Sequence, residues 1–311
     1  MYKTVVCIFI LLISCKTDSQ PEPKVKEDPW KEDYVEISYS MSGVSNNDNF
    51  NPIMKAGLVE NTELKEASGL VHCTFRNDWL YSHNDGGDYN RIFVLDTNGK
   101  NVGHIIVPNS GNRDSEDIAI DPDIDGQSFI YWGDIGDNDG KYAEITVYRF
   151  PEKPFDFSLG NVTADAADRI VLNYPDGAKD AETLLIDPWN HHMYVVTKRE
   201  AKGRLYRVDY PFDTVNATTM KKVAQLPFSG IVAGDISSDG HHIVLKTYVQ
   251  AFYWYREEGE TLTKALSREP TQIPYQFETQ GESFCWSKDA NSYYTISEGK
   301  NEPIYRGSRK Q

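Results

Sequence analysis

Glu116-Asp117-Ile118-Ala119-Ile120 joins an acid to a short apolar run, and related segments occur four more times. They are Glu66-Ala67-Ser68-Gly69-Leu70, Glu182-Thr183-Leu184-Leu185-Ile186, Asp235-Ile236-Ser237-Ser238-Asp239 and Glu282-Ser283-Phe284-Cys285-Trp286. Successive acids are 50, 66, 53 and 47 residues apart. A period of about 40 to 50 residues that holds several short strands is the signature of a β-propeller. The pattern therefore predicts one acidic ring around one axis.

Each segment leads into a turn rich in Asn, Asp, Ser or Pro, such as Asp187-Pro188-Trp189-Asn190, and then into a second apolar run. These runs include Trp79-Leu80-Tyr81, Phe129-Ile130-Tyr131-Trp132, Met193-Tyr194-Val195-Val196, Ile243-Val244-Leu245 and Tyr293-Tyr294-Thr295-Ile296. A third run carries a central aromatic, as in Ile92-Phe93-Val94 and Leu205-Tyr206-Arg207. β-Branched and aromatic runs of this length, bounded by turn formers, read as strands. No stretch has a helical period, so the fold class is all-β. Five blades are expected, with six as the alternative. Residues 151–168 read as a polar loop and not as a further blade.

Only 29 residues follow Glu282, enough for about three strands. The last blade must borrow an outer strand, and residues 34–39 or 53–59 are the candidates. Closing the ring this way removes exposed sheet edges.

The amino terminus points to export. Lys3 precedes an apolar run over residues 5–13, about half of what a spanning helix needs. Leu12-Ile13-Ser14-Cys15 resembles the lipobox of bacterial lipoproteins, which implies cleavage before Cys15 and a lipid on its sulfur; a plain secretory signal is the alternative. Residues 16–33, rich in Pro, Glu, Asp and Lys, cannot build a core. The expected organisation is a signal segment (1–14), a lipid-anchored tether (15–33) and a propeller (34–311). The protein would be a monomer held to a bacterial membrane through its lipid alone. The outer membrane is the expected one, with the propeller facing the periplasm or the cell surface.

A formal net charge of −15, with no basic patch to release counterions, disfavours nucleic acid as a partner. Of the four cysteines, Cys7 leaves with the signal and Cys15 carries the lipid. Cys73 and Cys285 fall in the first strands of the first and last blades, seven and three residues after their acids. That mismatch favours two buried thiols over a disulfide.

In an antiparallel blade the end of the second strand lies beside the start of the first. His83-Asn84-Asp85, Asp134 with Asp137-Asn138, Lys198-Arg199, Lys246-Thr247 and Ser297-Glu298 should therefore share a face with the acidic ring. Ionised carboxylates crowded together raise one another's pKa unless a cation compensates. Calcium, with six to eight oxygen ligands, suits Glu66, Glu116, Glu182, Asp235 and Glu282, with Asp85 and Asp134 nearby. The alternative is that each acid latches a backbone N–H of the next blade. The Asp-, Asn- and Gly-rich runs 84–88 and 134–140 fit either ligand loops or tight turns. His191-His192 and His241-His242 lie in turns of the opposite face and lack a zinc spacing.

No nucleophile elbow, phosphate-cradling loop or dinucleotide fingerprint appears. Two function classes stay open. One is a surface binding or scaffold protein that takes a small anionic ligand, a glycan or a protein partner. The other is a metal-assisted hydrolase of phosphate-containing or other anionic small molecules. In the second, Lys198, Arg199 and Lys246 hold negative charge while Glu116 or Glu182 activates water.

Glu66-Ala67-Ser68-Gly69-Leu70, His83-Asn84-Asp85, Asp114-Ser115-Glu116-Asp117-Ile118-Ala119, Gly133-Asp134-Ile135-Gly136-Asp137-Asn138 and Ala181-Glu182-Thr183-Leu184-Leu185 resemble recurring motifs of secreted bacterial β-propeller proteins without an assigned activity. Ala181-Glu182 followed by Thr197-Lys198-Arg199 is also similar to motifs of the calcium-activated nucleotidases (apyrases). That second likeness implies a five-bladed propeller around a central calcium ion.

Overall fold

Four-stranded antiparallel sheets follow one another along the chain, each starting at the axis and stepping outward. The computed structural model describes Met1 and residues 28–310; Cys15 and residues 2–14 lie outside the described residues. Blade one runs from Ala67–His72 through Trp79–Asn84 and Arg91–Asp96 to Asn101–Ile106. Blade two comprises Ser115–Ile124, Gln127–Asp134, Ile145–Pro151 and Asp168–Asn173, and blade three Ala181–Ile186, Met193–Thr197, Arg204–Val208 and Lys221–Gln225. Blade four holds Ala233–Ile236, His242–Lys246, Ala251–Tyr255 and Thr271–Ile273. Blade five has Cys285–Trp286, Ser292–Ile296 and Pro303–Ser308.

The outer strand of blade five is Met54–Leu58, antiparallel to Pro303–Ser308. The ring is thus closed from the amino-terminal side by the second of the two candidate segments. The first candidate goes elsewhere: Val35–Glu36 adds a parallel strand to the outer edge of blade three. Val162–Thr163 does the same on blade one, and Thr218–Thr219 on blade two. Residues 151–168 therefore supply an edge-covering strand and no sixth blade. Covering an edge removes a template for unwanted pairing.

Each innermost strand packs on its neighbours round the ring, and Ser68 bridges to Glu282 where the first and last blades meet. Among the described residues the apolar core divides into five clusters, each filling one gap between adjacent blades. Val71, Tyr81, Ile118, Ile130 and Trp132, for example, join blades one and two. Strands buried on both faces explain why the runs read as continuously apolar and not as alternating. Full burial of each such side chain contributes about 1.5 to 3 kcal/mol.

Two local features escape the sequence pattern. Leu262–Leu266 is a short helix capped by Thr261, with Leu262, Ala265 and Leu266 turned into the core between blades three and four. Five residues are too few to show a helical period. The folded body also reaches back to Glu32, inside the stretch whose composition reads as tether. Its carboxylate accepts hydrogen bonds from the Tyr194 hydroxyl at 2.9 Å, the Thr263 N–H at 2.8 Å and the Arg207 guanidinium at 3.1 Å. Cys73 and Cys285 are free buried thiols.

Candidate functional site

The amino-terminal ends of the innermost strands form one mouth of the ring. In blade two, Ser115 pairs with Asp134 and Asp117 with Gly133, which leaves Glu116 as the extra residue of a bulge. Blade three repeats this: Ala181 pairs with Thr197, Thr183 with Val196, and Glu182 is the extra residue. A bulge re-aims a side chain locally, and both glutamates are nearly enclosed, at 3% and 2% exposure. Asp114 and Asp180 sit two residues earlier, just before the strands begin, in Asp-x-Glu pairs.

Carboxylate oxygens of Asp85, Asp114 and Glu116 lie within 4.8 Å of one another, and so do those of Glu116, Asp180 and Glu182. Glu116 belongs to both groups. Gly136 makes room for them, since a Cβ there would run into the carboxylates of Glu116 and Asp114. Lys198 Nζ bridges Glu182 and Glu282, the latter at 3.2 Å, and Tyr248 donates its hydroxyl proton to Glu282. Arg199 donates to Asp180 and to Asn138.

The electrostatics of this mouth are out of balance. Glu116 has no hydrogen-bond donor among the described residues; burial and the charges of Glu182, Asp85, Asp114 and Glu282 push its pKa well up. Burial and Glu282 raise Glu182 likewise, although Lys198 opposes them, and Glu182 Oε2 is buried without a partner. Asp114 is pushed up to about 6 by burial and Asp85, and Glu298 to about 7 by burial and Glu282. Burial also works against an ionised Glu282, but Lys198 and Tyr248 hold its carboxyl below the usual range. One lysine and two partly exposed arginines, Arg113 and Arg199, face many acids. Buried carboxylates in this state take up protons or a cation.

Other expected members lie elsewhere. Glu66 precedes Ala67, which pairs with Asn84 as Ser115 pairs with Asp134. It therefore matches Asp114 in register, Ser68 takes the place of Glu116, and Glu66 instead meets Lys65 at the rim, 3.1 Å away. Asp235 stands in a strand without a bulge and pairs with Val244, farther from the mouth. Its Oδ2 accepts the Trp286 N–H of the next blade at 2.8 Å. Asp117 does the same for Leu184 N–H at 2.8 Å, so the backbone latch does exist, at residues adjacent to the mouth acids or in another register. Asp134 accepts from the Asp114 N–H at 2.9 Å and steadies the loop that carries Asp114.

Lys246 is fully buried and donates to the Gly281 carbonyl, with its pKa lowered to about 8 by burial. It is not presented to a ligand. His83 is also buried and held neutral, its pKa pushed down to about 4 by burial. His191 binds Asp121 at 2.7 Å beside the turn at the other end of the ring. Asp180, Arg113 and Tyr248 were not singled out by the repeat; the recurrence of Asp-x-Glu at Asp114-Ser115-Glu116 and Asp180-Ala181-Glu182 was the available signal for Asp180, and no comparable pattern points to Arg113 or Tyr248.

Neither a family model nor a curated protein matches the chain. Among solved structures, hydrazine synthase of Kuenenia stuttgartiensis is similar at 13% identity and a TM-score of 0.38, over 76% of this chain and 70% of that one. The Dos1 propeller is similar at 12% identity and a TM-score of 0.38, over 78% of this chain and 77% of that one. Likeness at this level assigns no chemistry, and the five-bladed reading stands on the sheet pairing above.

Proposed function

We propose that this is an extracytoplasmic, lipid-anchored propeller whose acidic mouth holds a calcium ion and, through it, an anionic ligand. The observation that carries the reading is Glu116: a buried carboxylate shared by two acid triads, with no donor among the described residues to balance it. The unpartnered Glu182 Oε2 beside it supports the same reading. All the candidate ligands are oxygen donors, which suits calcium better than zinc. Arg113 and Arg199, with side chains 36% and 50% exposed at the rim, offer positive charge to whatever anion completes the coordination. A binding role needs nothing more. Metal-assisted hydrolysis of a phosphate-containing substrate is the second reading, and it is favoured by Lys198 lying between Glu182 and Glu282 at the cluster.

Calcium titration by calorimetry, paired with thermal melts in chelator and in calcium, tests the proposal. A ligand that binds only the folded state at about 100 times its Kd stabilises it by about 2.7 kcal/mol. We expect calcium to raise the melting temperature and Glu116→Gln to abolish that response, with Glu182→Gln weakening it. An unchanged melt together with no heat of binding would sink the calcium centre. Calcium-dependent release of phosphate from a nucleotide, lost in Lys198→Ala, would select the hydrolase.

A further inference from the structure

The carboxyl-terminal ends of the innermost strands open into a cavity of about 410 Å³ at the mouth opposite the acidic one. That volume falls within the range of about 300 to 1,000 Å³ typical of small-molecule sites. Val71, Phe75, Ile120, Pro188 and Trp286 supply apolar walls drawn from four blades. Among the described lining residues Asp235 is the only acid.

The rim hydroxyls are already engaged. Thr74 and Ser128 donate to Glu152, and Ser238 donates to the Lys288 carbonyl. Asp235 accepts backbone N–H groups from Trp286 and Ile236, but no lysine, arginine or histidine pairs with it among the described residues. A carboxylate in apolar surroundings without a counter-charge is costly to ionise. Burial accordingly pushes its pKa up to about 7. A cationic head group would remove that cost. Lys288 is exposed at the edge, and His72 is kept toward its neutral form by burial.

We propose that this cavity binds a small organic amine, with its ammonium on Asp235 and its apolar body against Phe75, Ile120 and Trp286. The site is independent of the calcium centre, which lies at the opposite ends of the same strands.

Calorimetry with 4-phenylbutylamine, 4-phenylbutanol and 4-phenylbutyrate as probes, in saturating calcium, tests it. A hydrogen bond to a charged partner is worth about 1.5 to 3 kcal/mol, so the amine should bind at least about tenfold tighter than the alcohol, with the carboxylate weakest. Asp235→Asn, which keeps an acceptor for the Trp286 N–H, should erase the preference for the amine. Phe75→Ser, at a residue 45% exposed and so tolerant of change, should weaken amine and alcohol together. Equal binding of amine and alcohol, no binding of either, or an amine affinity indifferent to Asp235→Asn would each overturn the proposal. If Asp235→Asn does not fold, the three-probe comparison on the natural protein and on Phe75→Ser still decides.

Discussion

Glu182 and Asp187 mark the two ends of one innermost strand, both buried and both acidic, and their surroundings could hardly differ more. Asp187 holds Arg256 through two hydrogen bonds of 2.7 and 2.8 Å, and also accepts from the Trp189 N–H and the Asn190 side chain. Arg256 in turn donates to the Gly240 carbonyl and lies 3.8 Å from the centre of the Trp189 ring. Every polar atom there has a partner, and the pair ties blade three to blade four. Among the described residues, Glu182 shares a single lysine with Glu282 and leaves one oxygen unpartnered beside Glu116. Burial alone therefore does not distinguish a structural acid from a candidate ligand. Satisfaction does, because an unpaired buried charge is a cost that the native state keeps only where something else can offset it.

Both ends depend on the closed ring, so the largest effect should come from opening it. Deleting residues 32–60 removes the outer strand of blade five, the parallel edge strand of blade three and the Glu32 contacts. Cooperative unfolding followed by circular dichroism should disappear. A melt like that of the full chain would mean that another segment closes the ring.

Asp187→Ala separates the two ends. Stranding Arg256 in the core should cost about 3 to 5 kcal/mol, or about 10 °C in melting temperature. The calcium response at the other end should survive. If Asp187→Ala also abolished that response, the contrast between the two ends would break.

The smallest effect sharpens the same contrast through pH. Asp114 and Glu298, at about 6 and 7, and Glu116 and Glu182, also raised by burial and neighbouring carboxylates, bind protons in the folded state that the unfolded chain has already released. Their contribution is fully present below about pH 4, the unfolded value, and is lost as pH rises through 6 to 7. In chelator, stability should therefore fall over that window. Calcium, which displaces those protons, should lessen the fall and bind more tightly as pH rises. A melting temperature that climbs from pH 4 to 7 in chelator would show the mouth acids to be satisfied after all.

Much of the architecture was legible in the chain. The recurring acid-plus-apolar segment gave the blade count, and the short last repeat announced that an amino-terminal strand must complete it. Which strand could not be read, because 34–39 and 53–59 have equal claim as sequence and only the geometry of the ring assigns one to blade five and the other to blade three. The acids at the mouth were half legible. Glu116, Glu182, Glu282 and Asp85 do gather there, whereas Glu66 and Asp235 carry the same letter pattern and land elsewhere.

The reason is register. Sequence fixes which residues can form a strand, through apolar runs and turn formers whose effects are local. A single bulge residue, present at Glu116 and Glu182 and absent in blade four, decides which way an acid faces. Whether a bulge forms depends on pairing with the next strand and on the packing of neighbouring blades, so the partners of each buried charge are set only when the ring closes.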